Sequence, residues 1–374
     1  MRFDTKLVHA GTPQPRYGGA VATPIFQSST YEEVSENGYH AVRYARLSNT
    51  PGHLVLHARL AALEGAEAAL STASGMAAIS AALLSVLRSG DHLIAQDALY
   101  GGTHGLLTND LPRMGVEVTF VPGGDPAAWE RALTPRTRAI YFEALTNPLL
   151  RVGALDQVPA FARAHGLVSL IDNTFATPLG FQPIARGFDL ALHSATKYLN
   201  GHSDICAGAV MGGATRVHAV KRVLDHLGGS LDPHAVFLLE RGLKTLGIRY
   251  RSQCASALRL ARFLAEHPAV ERVHHPALPS HPDHARAGKL LAYAGAMLSF
   301  EPRDPGVLQR LKLPVHAPSL GGPESLITIP AKSSHVGLSA ADRAKIGITD
   351  RLLRLSVGFE DPDDLIEDFQ QALR

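Results

Sequence analysis

Leu167-Val168-Ser169-Leu170-Ile171-Asp172 and His193-Ser194-Ala195-Thr196-Lys197 decide how this chain is read. The first is a short apolar run that stops on a carboxylate; the second follows the run Leu190 to His193 and stops on an amine. Similar runs lie at His92 to Ala95, Glu117 to Val121, Ala139 to Phe142 and Ala209 to Met211, with helical stretches between them. That alternation predicts a mostly parallel sheet covered on both faces. In an open α/β sheet, ligands bind at the carboxyl ends of the strands, so Asp172 and Lys197 are expected to face one pocket. Taken singly, a strand-end Asp reads as a loop cap and a Lys as a solvated charge.

Toward the N-terminus, Leu54 to Glu64 places Leu56, Leu60 and Leu63 on one helical face, and Gly65 supplies a stop. Thr72-Ala73-Ser74-Gly75-Met76-Ala77 then reads as a helix start, with Ser74 as the cap and Gly75 leaving the first amides open to close approach. Such a start binds phosphate through its N–H groups and dipole. The hydroxyls of Ser194 and Thr196 offer further donors. Amine, carboxylate and phosphate site together suit pyridoxal 5′-phosphate (PLP). Lys197 would combine with the aldehyde, and Asp172 would keep the pyridine nitrogen protonated.

The rest of the composition narrows the class. Across 374 residues, 45% are hydrophobic and 19% charged, an ordinary globular balance. Lys plus Arg total 36 against 34 Asp plus Glu, without a dense basic run, so neither nucleic acid nor an anionic membrane is an expected partner. Cys206 and Cys254 are too few for a disulfide framework and fit a reducing cytoplasm. No apolar leader or spanning stretch is read. The expected organisation is an α/β chain with an N-terminal arm over 1–51, a large domain over 52–235 and a smaller C-terminal α/β domain over 236–374. Within the last, 237–265 is read as predominantly helical and the Pro- and His-rich stretch 273–284 as a surface loop. The arm shows no helical periodicity.

Asp189-Leu-Ala-Leu-His-Ser-Ala-Thr-Lys-Tyr-Leu-Asn-Gly-His-Ser-Asp204 closely resembles the lysine signature of the Cys/Met-metabolism PLP enzymes, the family of cystathionine γ-synthase and γ-lyase, cystathionine β-lyase and methionine γ-lyase. Further resemblance lies in Leu7-Val8-His9-Ala10-Gly11, Tyr44-Ala45-Arg46, Tyr100-Gly101-Gly102-Thr103, Asp172-Asn173-Thr174, Ser319-Leu320-Gly321-Gly322 and Arg354-Leu355-Ser356-Val357-Gly358. It implies a fold-type-I PLP enzyme that works on a small amino-acid substrate as a homotetramer, a dimer of dimers with shared active sites. It implies that Lys197 carries the cofactor and moves protons, and that Tyr100 stacks on the ring and assists. Asp172 pairs with the ring nitrogen. Gly75, Met76, Ser194 and Thr196 hold the phosphate, and Tyr44 and Arg46 reach it from the neighbouring subunit. Asn147 bonds near the phenolic oxygen, Arg354 clamps the substrate carboxylate and Ser319 positions both substrate and lysine. The implied activity is γ-elimination or γ-replacement on cystathionine or O-acylhomoserine-like amino acids.

Departures from the family pattern bear on the substrate. Relatives commonly carry an acid before Tyr-x-Arg and another before Ser-Leu-Gly-Gly, where this chain has Arg43 and Pro318. Gly102 stands where methionine γ-lyases often have cysteine, and Ala144-Leu145 where relatives often have Ser-Pro. The single tryptophan, Trp129, is far in sequence from the Ser319 region where β-lyases usually have one. Two rival chemistries are weaker. Ser194-Ala195-Thr196-Lys197 also matches the S-x-x-K of serine hydrolases, but Ser203-Asp204-Ile205 and Lys244-Thr245-Leu246 do not complete that set. The 19 histidines include His53 with His57 and His281 with His284, yet no His-Glu-x-x-His. No metal is expected, and the loop histidines are expected to be solvated.

Overall fold

The computed structural model describes residues 1–32, 42–337 and 339–374. Seven strands form the first sheet: β1 (Ala68–Thr72), β2 (His92–Gln96), β3 (Glu117–Val121), β4 (Thr137–Glu143), β5 (Val168–Asp172), β6 (Leu190–His193) and β7 (Gly208–Gly212). Their spatial order is β1-β7-β6-β5-β4-β2-β3, and only β7 runs against its neighbours. Alternate residues leave opposite faces of a strand. Thus Ile94, Ile140, Phe142 and Ile171 enter one core, while Leu93, Ala95, Tyr141 and Leu170 enter the other. Both faces are covered, as the apolar runs predict. The strand β1 was hidden from sequence reading because Ala68-Ala69-Leu70-Ser71-Thr72 carries no β-branched or aromatic cluster before its last residue.

The second sheet has the order β10-β11-β12-β9-β8, from β8 (Val270–His274), β9 (Met297–Pro302), β10 (Val315–His316), β11 (Leu326–Thr328) and β12 (Leu353–Ser356). Its core joins Leu298, Phe300, Ile327 and Leu355 to helices Leu246–Glu266 and Pro362–Ala372. The helical stretch read over 237–265 is two helices, Pro233–Leu243 and Leu246–Glu266.

Helix Pro51–Glu64 follows its sequence signals. Thr50 caps it, Pro51 occupies the first turn where its missing N–H costs nothing, and Gly65 closes it at φ 69°. Leu56, Leu60 and Leu63 are all buried. Two expectations are corrected. The arm contains a helix, Phe3–His9, too short at 7 residues to show a periodic face, with Leu7 packed into the core. The stretch 273–284 is not a solvated loop: His275, His281 and Asp283 are buried. His281 Nε2 donates to the Leu149 carbonyl over 3.2 Å, and Asp283 receives Arg151 Nε over 2.5 Å. Polar composition misled there because buried polar groups are tolerated once partnered. His53 is also a structural histidine, buried and bonded through Nε2 to the Leu231 carbonyl over 2.9 Å.

Candidate active site

At the carboxyl ends of β4, β5 and β6 lies a cavity of about 990 Å³, roofed by residues of the second sheet and its loops. Asp172 ends β5, and parallel register sets it beside Glu143 at the end of β4. Thr174 fixes the first carboxylate. Its backbone N–H and its hydroxyl donate to Asp172 Oδ1 over 2.9 and 2.5 Å, while Thr174 Oγ1 accepts Ser194 N–H over 2.8 Å. Burial pushes the Asp172 carboxyl up, opposed by those Thr174 donors, which favour the anion. Burial and the charge of Asp172 push Glu143 well above the usual carboxylate range. Both carboxyls are thus pushed up, Glu143 by burial and also by its neighbour's charge.

The turn after β6 carries Lys197 into the cavity. Lys197 N–H donates to the Ser194 carbonyl, and Arg249 bonds the carbonyls of Tyr198 over 2.9 Å and Leu199 over 3.4 Å, holding the far end of the turn. Lys197 Nζ donates to Ser319 Oγ over 2.6 Å. Its amine is drawn down to about 8, first by burial and then by the positive Arg354 nearby. The Thr196 hydroxyl donates to the Ala207 carbonyl over 3.1 Å and accepts Ala207 N–H over 2.9 Å, so it is tied to the backbone at the cavity wall.

Arg354, on β12, is buried. It donates through Nη1 to Asn147 Oδ1 over 3.0 Å and through Nη2 to the Ser319 carbonyl over 3.1 Å, while its Nε has no partner among the described residues. Burial lowers its pKa to about 10, which leaves it charged at neutral pH. A guanidinium so placed retains donors for a carboxylate. Ser319 itself sits at φ 90°, a strained conformation for a residue with a side chain.

Helix Gly75–Val86 points its start at the same cavity. Ser74 caps it through Oγ to Ala77 N–H over 3.1 Å. A Cβ on Gly75 would stand 2.7 Å from Ser194 Cβ, so only glycine lets the helix start approach the turn before Lys197. Tyr100 caps the short helix Gly101–Gly105, its N–H bonded to Glu143 Oε1 over 2.6 Å. A Cβ on Gly102 would come within 2.6 Å of the Tyr100 ring and 3.2 Å of Met76 Sδ.

Gly75, Met76, Tyr100, Asn147, Asp172, Ser194, Thr196, Lys197, Ser319 and Arg354 thus line one cavity. Tyr44 and Arg46 are not among its lining residues. Arg46 Nη1 donates to the Asp225 carbonyl over 2.5 Å, and its guanidinium lies 5.5 Å from the Tyr44 ring centroid. Pro318 lines the cavity, whereas Arg43 is exposed over the Tyr31 ring at 5.7 Å. Sequence reading missed Glu143. The signal was present, since it ends an apolar run just as Asp172 does. Thr174 was legible only as the end of the motif Asp172-Asn173-Thr174, and the lining residues Gln309, His316 and Lys332 carried no signal.

A family model described as Cys/Met metabolism PLP-dependent enzyme matches residues 4–374. A cystathionine gamma-lyase of Bacillus subtilis (strain 168) is 41% identical, with 100% of this chain and 99% of that protein covered. An L-methionine gamma-lyase of Pseudomonas putida is 40% identical, covering 100% and 97%. A cystathionine beta-lyase of Coxiella burnetii is 40% identical, covering 99% and 97%. Among solved structures, a cystathionine gamma-lyase from Lactobacillus plantarum complexed with L-serine superposes with a TM-score of 0.95 at 37% identity, covering 100% of this chain and 98% of that one.

Proposed function

The chain belongs to the Cys/Met metabolism PLP-dependent enzyme family and uses PLP, and from that premise we propose that it catalyses γ-elimination or γ-replacement on cystathionine or O-acylhomoserine-like amino acids. The residues present fit the cofactor. Lys197 presents an amine, Asp172 a buried carboxylate, and the Gly75 helix start a phosphate cradle that a side chain at that glycine would fill. When bound, PLP supplies a sink for the electron pair left at the substrate Cα.

Gly75 and Met76 amides with the Ser194 hydroxyl hold the phosphate, joined by the Thr196 hydroxyl once its proton turns from the Ala207 carbonyl. Asp172 holds the ring nitrogen, Tyr100 covers the ring and assists proton transfer, and Asn147 serves its phenolic edge and the substrate. Arg354, steered by Asn147 and Ser319, grips the substrate carboxylate. Lys197 Nζ takes the Cα proton and then serves Cβ and the leaving group, a task suited to an amine drawn toward neutrality. The observation that carries this reading is that Lys197 and Arg354 meet at one residue, Ser319. A proton carrier and a carboxylate anchor so joined define a site for an α-amino acid.

Tyr44 and Arg46 complete the phosphate site of a neighbouring subunit in this proposal, within a dimer of dimers in the cytoplasm. Support comes from their absence from the cavity of their own chain and from the arm 1–51, which contributes to the core chiefly through Leu7 and Leu47. The domains 52–235 and 236–374 contribute the lysine and the carboxylate anchor respectively.

Purified protein supplied with cystathionine should release cysteine, 2-oxobutanoate and ammonia, and O-acetylhomoserine with cysteine should give cystathionine. Pyruvate as the sole oxoacid from cystathionine would instead establish the β-lyase activity named for the Coxiella relative, and methanethiol from methionine as the dominant activity would establish that of the Pseudomonas one.

A further inference from the structure

The carboxyl edge of the first sheet does not end at the active site. Beyond β4, the ends of β2 and β3 and the turn at 146–153 border a second cavity of about 940 Å³, closed by β8 and residues 280–286 and 345–348. Its charges are unevenly matched. Asp283 alone receives two guanidiniums, Arg151 Nε over 2.5 Å and Arg286 Nη1 over 3.2 Å, together with Val152 N–H over 3.1 Å. The exposed Arg272 guanidinium lines the same cavity without a hydrogen bond or ion pair among the described residues. On the same wall the half-buried Asp97 carboxylate accepts Ala98 N–H over 2.8 Å, feels the charge of Arg151, and has no cation in ion-pair contact among the described residues. The wall also holds His274, buried, with its Nε2 3.9 Å from Glu301 Oε1 and without a hydrogen-bond partner among the described residues. A Cβ on Gly124 would lie 3.0 Å from Arg286 Nη1, so glycine keeps that guanidinium approachable. Of the other charged lining residues, Glu271 pairs with Arg351 over 2.9 Å, Asp125 with Arg131 over 3.5 Å and Lys345 with Asp342 over 2.8 Å, which leaves Arg272 and Asp97 unpaired among the described residues and two guanidiniums sharing Asp283.

We propose that this second cavity is an effector site for an acidic α-amino acid, with its carboxylates on Arg272 and the Arg151–Arg286 pair and its ammonium on Asp97, felt at the active site through Asn147. Asn147 lines both cavities and its Oδ1 accepts from Arg354 Nη1 over 3.0 Å. A parallel link runs from Gln96, whose Oε1 accepts Glu143 N–H over 3.0 Å. Occupancy that shifts the 146–153 turn must therefore change how Arg354 is held, and by reciprocity substrate must change the affinity for effector.

Isothermal titration of the holoenzyme with L-glutamate tests the site independently of the reaction. The native protein and an Arg354→Ala variant should both bind, while Arg272→Glu and Asp97→Asn should each weaken binding by about tenfold or more, as loss of a charge-assisted contact does. In steady-state assays, saturating L-glutamate should shift the KM of the amino-acid substrate in the native enzyme and leave it unchanged in Arg272→Glu, whose KM without effector stays native. Absence of binding, binding lost with Arg354→Ala but kept with Arg272→Glu, or a KM unmoved by L-glutamate would each overturn the proposal.

Discussion

Ser319 holds Lys197 and Arg354 at once, its Oγ accepting from Lys197 Nζ over 2.6 Å and its carbonyl from Arg354 Nη2 over 3.1 Å. The hydroxyl and the backbone can be separated experimentally because the residue sits at φ 90°. Ser319→Ala removes only the hydroxyl and keeps the strain, whereas Ser319→Gly removes the whole side chain and relieves that conformation. Both variants should lose about tenfold to a hundredfold in kcat/KM, from about 1.5–3 kcal/mol of charge-assisted hydrogen bonding. Ser319→Gly should melt no lower than Ser319→Ala. Native turnover in either variant would remove Ser319 from the proton path.

Lys197 must be neutral to combine with the cofactor aldehyde, and its amine is drawn down to about 8 by burial and by Arg354. The neutral form is present above that pH and lost below it. Reconstitution of stripped protein with PLP, followed by absorbance, should quicken with pH and level off just above 8, whereas an ordinary lysine would keep gaining to about 10.4. Arg354→Met removes the neighbouring cation and should move the midpoint upward. A native midpoint near 10 would contradict the assigned environment.

Gly102 lies where a Cβ would crowd the Tyr100 ring at 2.6 Å and Met76 Sδ at 3.2 Å. Gly102→Ala should displace the Tyr100 ring, which is proposed to cover the cofactor, and lower kcat by about tenfold, the low end of what loss of positioning costs. The shift should also appear as altered cofactor absorbance. A variant with native kcat and spectrum would show that Tyr100 yields to the methyl without consequence.

Arg46 and Lys197 are proposed to serve the same site from different subunits. Mixed oligomers of Arg46→Ala and Lys197→Ala chains should recover activity that neither variant shows alone. Proven subunit exchange without recovery would place Arg46 outside the neighbour's site.

Pro318 lines the active-site cavity where relatives commonly carry an acid. Pro318→Glu should raise kcat/KM for cystathionine relative to O-acetylhomoserine by about tenfold, because the new carboxylate can meet the distal ammonium. An unchanged ratio would show that this position does not read the substrate's far end. Arg43, exposed over Tyr31, lies outside the cavity of its own chain, so its reach toward a neighbour is tested only in the assembled protein.

Much of this was legible because strand-end chemistry is local. The apolar runs ending near Asp172 and before Lys197 mark both the sheet and the edge at which it binds, and Ser74-Gly75 marks the helix start. What escaped reading depended on distant partners. His281 and Asp283 look like solvent-facing residues until Leu149 and Arg151 supply their bonds. The Phe3–His9 helix forms through packing of Leu7, too little sequence to show a period. Glu143 escapes because the apolar run reads as ending at Phe142, one residue short of the carboxylate that register sets beside Asp172.

Lys197 belongs to the first sheet's edge and Arg354 to the second sheet, so the active-site cavity lies along the seam between two separately packed cores. A substrate analogue gripped at both ends is a strut across that seam. In calorimetry, its binding should draw the melting of the two halves together, because neither can loosen without first surrendering the bound molecule.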